Sequence, residues 1–97
     1  MTFEVRNNAN IANKYIRFAK WKIRKLCSRF GDVLYTELYI SRSSSRNETY
    51  SVIVKMGIPG PDLVVKSEGT DLKLVWAKIS SKLKRQLRKQ KEKRHTS

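Results

Sequence analysis

With 97 residues, 39% of them hydrophobic, the chain can bury one modest core, and a single domain over residues 1–97 is the expectation. Twenty-two Lys and Arg against eight Asp and Glu give a net charge of +14, which repels itself unless a polyanion neutralises it. Met1–Asn10 has charges and asparagines in place of the apolar run of a secretory signal, no stretch approaches the roughly twenty apolar residues of a membrane span, and the lone Cys27 excludes an internal disulfide. A cytoplasmic protein with no membrane partner is expected.

Met1–Arg6 alternates Met1, Phe3 and Val5 with Thr2, Glu4 and Arg6, the period-two pattern of a short strand with one buried face. Asn7, Asn8 and Asn10 supply turn chemistry, and Asn8, Asn10 and Asn13 are all eligible to cap the helix that follows. From Ile11 to Phe30, the residues Ala12, Ile16, Ala19, Ile23, Leu26 and Phe30 recur at intervals of four, three, four, three and four, one stripe along a helix. Lys14, Arg17, Arg24 and Lys25 fall on the far side with Trp21 among them, and Gly31 stands where a left-handed C-cap glycine ends many helices.

Val33–Ser41 is rich in β-branched and aromatic residues, with Leu34, Thr36, Leu38 and Ile40 on one face and Val33, Tyr35 and Tyr39 on the other, as in a central strand. Arg42–Asn47 is a polar hairpin loop, and Thr49–Met56 alternates again as the next strand. Gly57, Pro59, Gly60 and Pro61 impose a second turn before a last short strand, Leu63–Ser67. Glu68-Gly69-Thr70-Asp71 then opens the longest helix, with Thr70 expected as N-cap and Asp71 complementing the helix dipole. Leu72, Trp76, Ile79, Leu83 and Leu87 form its buried face, Trp76 in the core, while Lys73, Lys84, Arg85, Arg88 and Lys91 lie opposite. Fraying is expected from about residue 92. The order β-α-β-β-β-α predicts an α+β two-layer sandwich, a four-stranded sheet with two helices on one face.

No catalytic constellation is visible. The acids are scattered, Glu68 and Asp71 read as charge at a helix N-terminus, and the only histidine, His95, lies in the basic tail. No Gly-rich phosphate loop, CxxC pair or nucleophile elbow occurs, so no enzyme, metal, cofactor or small-molecule substrate is expected. Cys27 reads as a small, partly buried thiol.

Binding has a clearer seat, because the two helices would each present a basic ridge able to track phosphates. A merely solvated face mixes Glu with Lys one turn apart, yet no acid occurs between Lys14 and Arg29. Trp21 has two readings, a platform on which a base stacks or a ring packed against a neighbouring Lys stem.

Glu68-Gly69-Thr70-Asp71 followed by Lys82-Leu83-Lys84-Arg85-Gln86-Leu87-Arg88-Lys89-Gln90-Lys91-Glu92-Lys93 resembles the last strand and final helix of the ribosome hibernation promoting factors, also called ribosome-associated translation inhibitors. Their E-G-x-D turn leads into a helix with K-L-x-R-Q-L-x-K-x-K, and the element order here matches along nearly the whole chain, in the manner of the family's short form. The resemblance implies binding to the small ribosomal subunit in the channel of mRNA and tRNA, blocking translation and protecting idle ribosomes, by a protein monomeric off the ribosome. Basic residues on both helices would then face rRNA, and the positions that match the motif are Lys82, Arg85, Lys89, Lys91 and Lys93, with Lys82 nearest the helix flank. Lys20, Lys22 and Lys25 stand where the family commonly mixes in glutamates, Lys73 where it often has tyrosine, and Ala77 where it has aspartate. The expected interface is thus Lys14, Arg17, Trp21, Arg24, Lys25, Lys73, Lys82, Lys84, Arg85, Arg88, Lys89, Lys91 and Lys93.

Two alternatives belong to other classes. A double-stranded RNA-binding domain would carry its lysines at the start of the second helix, where this chain reads Thr70-Asp71-Leu72-Lys73-Leu74, and would lack the first strand. A basic adaptor for an acidic protein or membrane would need large apolar residues beside the lysines, and Trp21 and Leu74 are what the outer faces offer.

Overall fold

Six elements follow in the order read from the hydrophobic periodicity: β1 (Thr2–Asn7), α1 (Asn13–Phe30), β2 (Tyr35–Ser43), β3 (Thr49–Gly57), β4 (Leu63–Gly69) and α2 (Leu72–Thr96). The computed structural model describes residues 1–31, 33–43 and 48–96, with side chains as far as 93. The strands form one sheet in the order β1-β2-β3-β4, β1 parallel to β2 and the other pairs antiparallel. Parallel neighbours need a long crossover, and α1 is that crossover.

Register decides which face is buried. Thr36, Leu38 and Ile40 pair with Met56, Val54 and Val52, and Val54 pairs with Val65, so these side chains share one face and all are buried. Ile16, Ala19, Ile23 and Cys27 of α1 and Val75, Ile79, Leu83 and Leu87 of α2 cover it. Removing a Leu or Ile from water contributes about 1.5–3 kcal/mol, so these few side chains hold the two layers together. Gly57 is required by a close approach, since a Cβ there would sit 2.0 Å from the Tyr35 ring that lies over it on the outer face.

The structure corrects several expectations. Helix α2 is capped by Asp71, not Thr70: the Asp71 carboxylate accepts from the Lys73 N–H at 2.9 Å, and its carbonyl accepts from the Val75 N–H at 3.0 Å. None of Asn8, Asn10 and Asn13 caps α1, whose N-cap is Ala12 without a side-chain bond. Asn7 instead clasps the loop, its side chain donating to the Ile11 carbonyl at 2.8 Å and accepting from the Ile11 N–H at 3.1 Å. Asn10 takes a positive φ of 54°, a conformation its short polar side chain tolerates. Gly31 closes α1 with φ 68° and an N–H donated to the Cys27 carbonyl at 2.7 Å.

Leu34 lies outside β2 and is 67% exposed. Trp76 is half-buried at the margin of the core, because Val75 takes the inward position and turns the indole toward α1. The hairpin read at Arg42–Asn47 is strand as far as Ser43, and residues 44–47 lie outside the described residues, as does the His95 side chain. Helix α2 continues to Thr96, about 13 Å beyond Leu87, the last buried residue among the described side chains, at 1.5 Å per residue. The molecule is accordingly elongated, 48 × 22 × 18 Å.

Candidate nucleic-acid interface

The two layers separate charge. Seven cations lie in α1 with no acid, and ten lie in α2 with one, Glu92. Glu4 pairs with Glu37, Glu37 with Lys55 and Glu68 with Ser51, which gathers these scattered acids on the sheet face turned away from the helices. The ion pairs Arg6–Glu4 at 3.8 Å, Arg42–Glu48 at 3.5 Å and Lys55–Asp62 at 3.8 Å also belong to the sheet and its loops. There the Tyr35 hydroxyl donates to Asp62 at 2.9 Å and the Tyr39 hydroxyl donates to Glu37. Both phenols are raised above their ordinary pKa chiefly by these bonds, since ionisation would remove the donated proton and set two anions together.

All thirteen side chains expected at the interface are exposed, but they do not form one face. At about 100° per residue, Lys14, Trp21 and Lys25 point outward from α1, while Arg17 and Arg24 lean toward β1. Arg24 lies over the Phe3 ring of that strand at 5.7 Å, as does Lys20 at 5.5 Å. On α2, Arg85 and Arg88 point outward, Lys73, Lys84 and Lys91 lean toward α1, and Lys82, Lys89 and Lys93 lean toward β4. Lys82 donates to the Lys66 carbonyl at 2.6 Å, which fastens its ammonium to the sheet.

Sequence reasoning missed Tyr15 and Phe18, which are 53% and 51% exposed beside Trp21 at 56%. Phe18 and Trp21 lie 6.1 Å apart between ring centres, and Lys14, Lys22 and Lys25 stand over Tyr15, Phe18 and Trp21 at 5.2, 5.9 and 5.0 Å. The signal was the spacing of three, 15-18-21, a row that runs from the flank of the apolar stripe to the outer face. Between the starts of α1 and α2 an open cleft of about 1050 Å³ is walled by Tyr15, Phe18, Tyr50 and Trp76. Among the described residues, no group of three acids, cysteines or histidines could hold a metal ion, and no helix is long and apolar enough to cross a membrane.

A four-stranded mixed sheet whose acids face one way and whose paired helices carry most of the cations defines a basic α+β module with one polycationic layer. The chain belongs to the Sigma 54 modulation protein / S30EA ribosomal protein family, whose sequence profile matches residues 5–95, in agreement with its resemblance to the hibernation promoting factors. That family is one of ribosome-associated factors. No curated protein sequence matches this one. Among solved structures, a ribosomal subunit interface protein from Coxiella burnetii superposes with a TM-score of 0.80 at 16% identity, covering 95% of this chain and 99% of the other. The N-terminal domain of Thermus thermophilus Protein Y superposes with a TM-score of 0.59 at 18% identity, covering 87% and 93%. At these identities the likeness is one of fold.

Proposed function

We propose that this protein is a translation inhibitor that occupies the mRNA and tRNA channel of the small ribosomal subunit in the cytoplasm, with its helix layer against rRNA. It acts as a single domain and is monomeric off the ribosome. The observation that carries this reading is the charge separation: ten cations on α2 and seven on α1 against one acid in the same layer. Such a layer gains affinity by releasing counterions from phosphates, and a narrow rRNA-lined channel offers phosphates on more than one side. The basic arm beyond Leu87 reaches further than the core and enlarges the footprint. The charge lies along both helices and past the end of α2, whereas a duplex RNA reader concentrates it at the start of the second helix.

Co-sedimentation with separated subunits through sucrose, at low and moderate salt, tests the proposal. Stoichiometric pelleting with the small subunit, lost when mRNA and tRNA fill the channel, is the expected outcome. Failure to pellet at low salt, or binding to a free RNA duplex as tight as to the subunit, would reject it.

A further inference from the structure

We infer that the cleft between the starts of α1 and α2 accepts the base of one unpaired RNA nucleotide, with the adjoining phosphates held at its rim. The inference deepens the proposed RNA-binding reading and rests on it. Three features of the cleft specify the occupant. Its walls are apolar, with four aromatic side chains among aliphatic ones: Tyr15 and Phe18 come from α1, Trp76 from α2 and Tyr50 from β3. Aromatic side chains favour a flat π-system between them, and every base has one. The rim is cationic, with Lys14 and Lys73 from the two helices; Arg42 also lines it but is shared with Glu48 at 3.5 Å. Asp71, the acid at this rim, is engaged in capping α2.

The third feature is room. The volume, about 1050 Å³, lies at the upper end of the range for small-molecule sites and leaves space for a base with its ribose. A peptide with aromatic and acidic residues would match the walls and the rim. The unbroken positive charge from Lys14 to Arg29 favours instead a chain whose charge continues past the cleft, as a phosphate backbone does. A base paired in a duplex is excluded because it must first be unstacked and flipped.

The test uses Trp21→Phe protein, in which Trp76 is the sole indole, titrated at low salt with short oligoadenylate, with a duplex of equal length, and with an acidic Glu/Tyr peptide. Saturable quenching of Trp76 by the single strand is expected, with affinity for the duplex lower by on the order of tenfold or more. Adding Phe18→Ala, which alters an exposed position, should weaken single-strand binding on the order of tenfold, as removal of one stacking partner does. No quenching by the single strand, equal binding of the duplex, indifference to Phe18→Ala, or quenching by the peptide alone would overturn the inference. Sedimentation of the wild-type protein with small subunits separates the two readings. Pelleting without oligonucleotide quenching defeats the cleft alone, whereas quenching without pelleting defeats the ribosomal assignment alone.

Discussion

Lys82 and Lys66 meet as donor and acceptor, the Lys82 ammonium giving a 2.6 Å hydrogen bond to the main-chain carbonyl of Lys66 on edge strand β4. One donor of a basic residue in the family motif thereby ties α2 to the sheet. Lys82→Ala should cost about 1 kcal/mol in urea unfolding, the net worth of one such bond, while the salt dependence of ribosome binding stays as in the wild type. Arg88→Gln should do the reverse, leaving stability unchanged and lowering the slope of log K against log salt by roughly 0.7–0.9.

Charge reversal of the outer ridge is the stronger test of the interface. The triple variant Arg85→Glu, Arg88→Glu, Lys91→Glu is expected to lose pelleting with small subunits while its thermal midpoint changes little, because all three side chains are exposed. Wild-type pelleting by this variant would show that the helix ridge is not the binding face.

Asp71, as the cap of α2, predicts a sharp difference between neighbours. Asp71→Ala should destabilise by about 1 kcal/mol through the loss of its bond to the Lys73 N–H, whereas Thr70→Ala should stay within about 0.5 kcal/mol. Urea midpoints of the two variants decide it.

Leu83 and Leu74 occupy the same helix at opposite extremes, one fully buried and the other exposed. Leu83→Ala should cost about 2–5 kcal/mol and Leu74→Ala less than about 0.5 kcal/mol, measured by denaturant unfolding. Similar costs would mean that the apolar stripe of α2 is not seated on the sheet.

Cys27 carries a pH prediction. Burial raises its thiol pKa and a hydrogen bond with Thr36 partly opposes the rise. The unfolded chain therefore releases this proton first, so the stability is complete below the ordinary thiol pKa of about 8.5 and falls as pH climbs through the higher folded value. Tyr35 and Tyr39, also raised, act in the same direction further up. Relative to Cys27→Ala, the wild type should lose urea resistance as pH rises above about 8.5, and its thiol should react slowly with a disulfide reagent until the protein unfolds.

Periodicity made the six elements legible because it is a local property: the stripe Ile16–Ala19–Ile23 and the alternation Val52–Val54–Met56 need no knowledge of the partner to be read. The misreadings share a cause. Thr70 and Asp71 are both good caps, and only the path of the chain into α2 decides between them. Trp76 lies on the flank of its stripe, where burial depends on how closely the other helix approaches. Tyr15 and Phe18 look like stray apolar residues until α1 is set beside α2 and they become the wall of a cleft.

The sequence by itself determined the elements, their order, the excess of positive charge and its concentration in two helical segments, since each follows from residue type and spacing within one segment. Only the tertiary structure decided that Glu4, Glu37 and Glu68 gather on the face opposite those helices, that Lys82 is hydrogen-bonded to the sheet, and that aromatics from three elements line one cleft. Those facts depend on strand register and on the side-by-side packing of distant segments, and no local pattern encodes either.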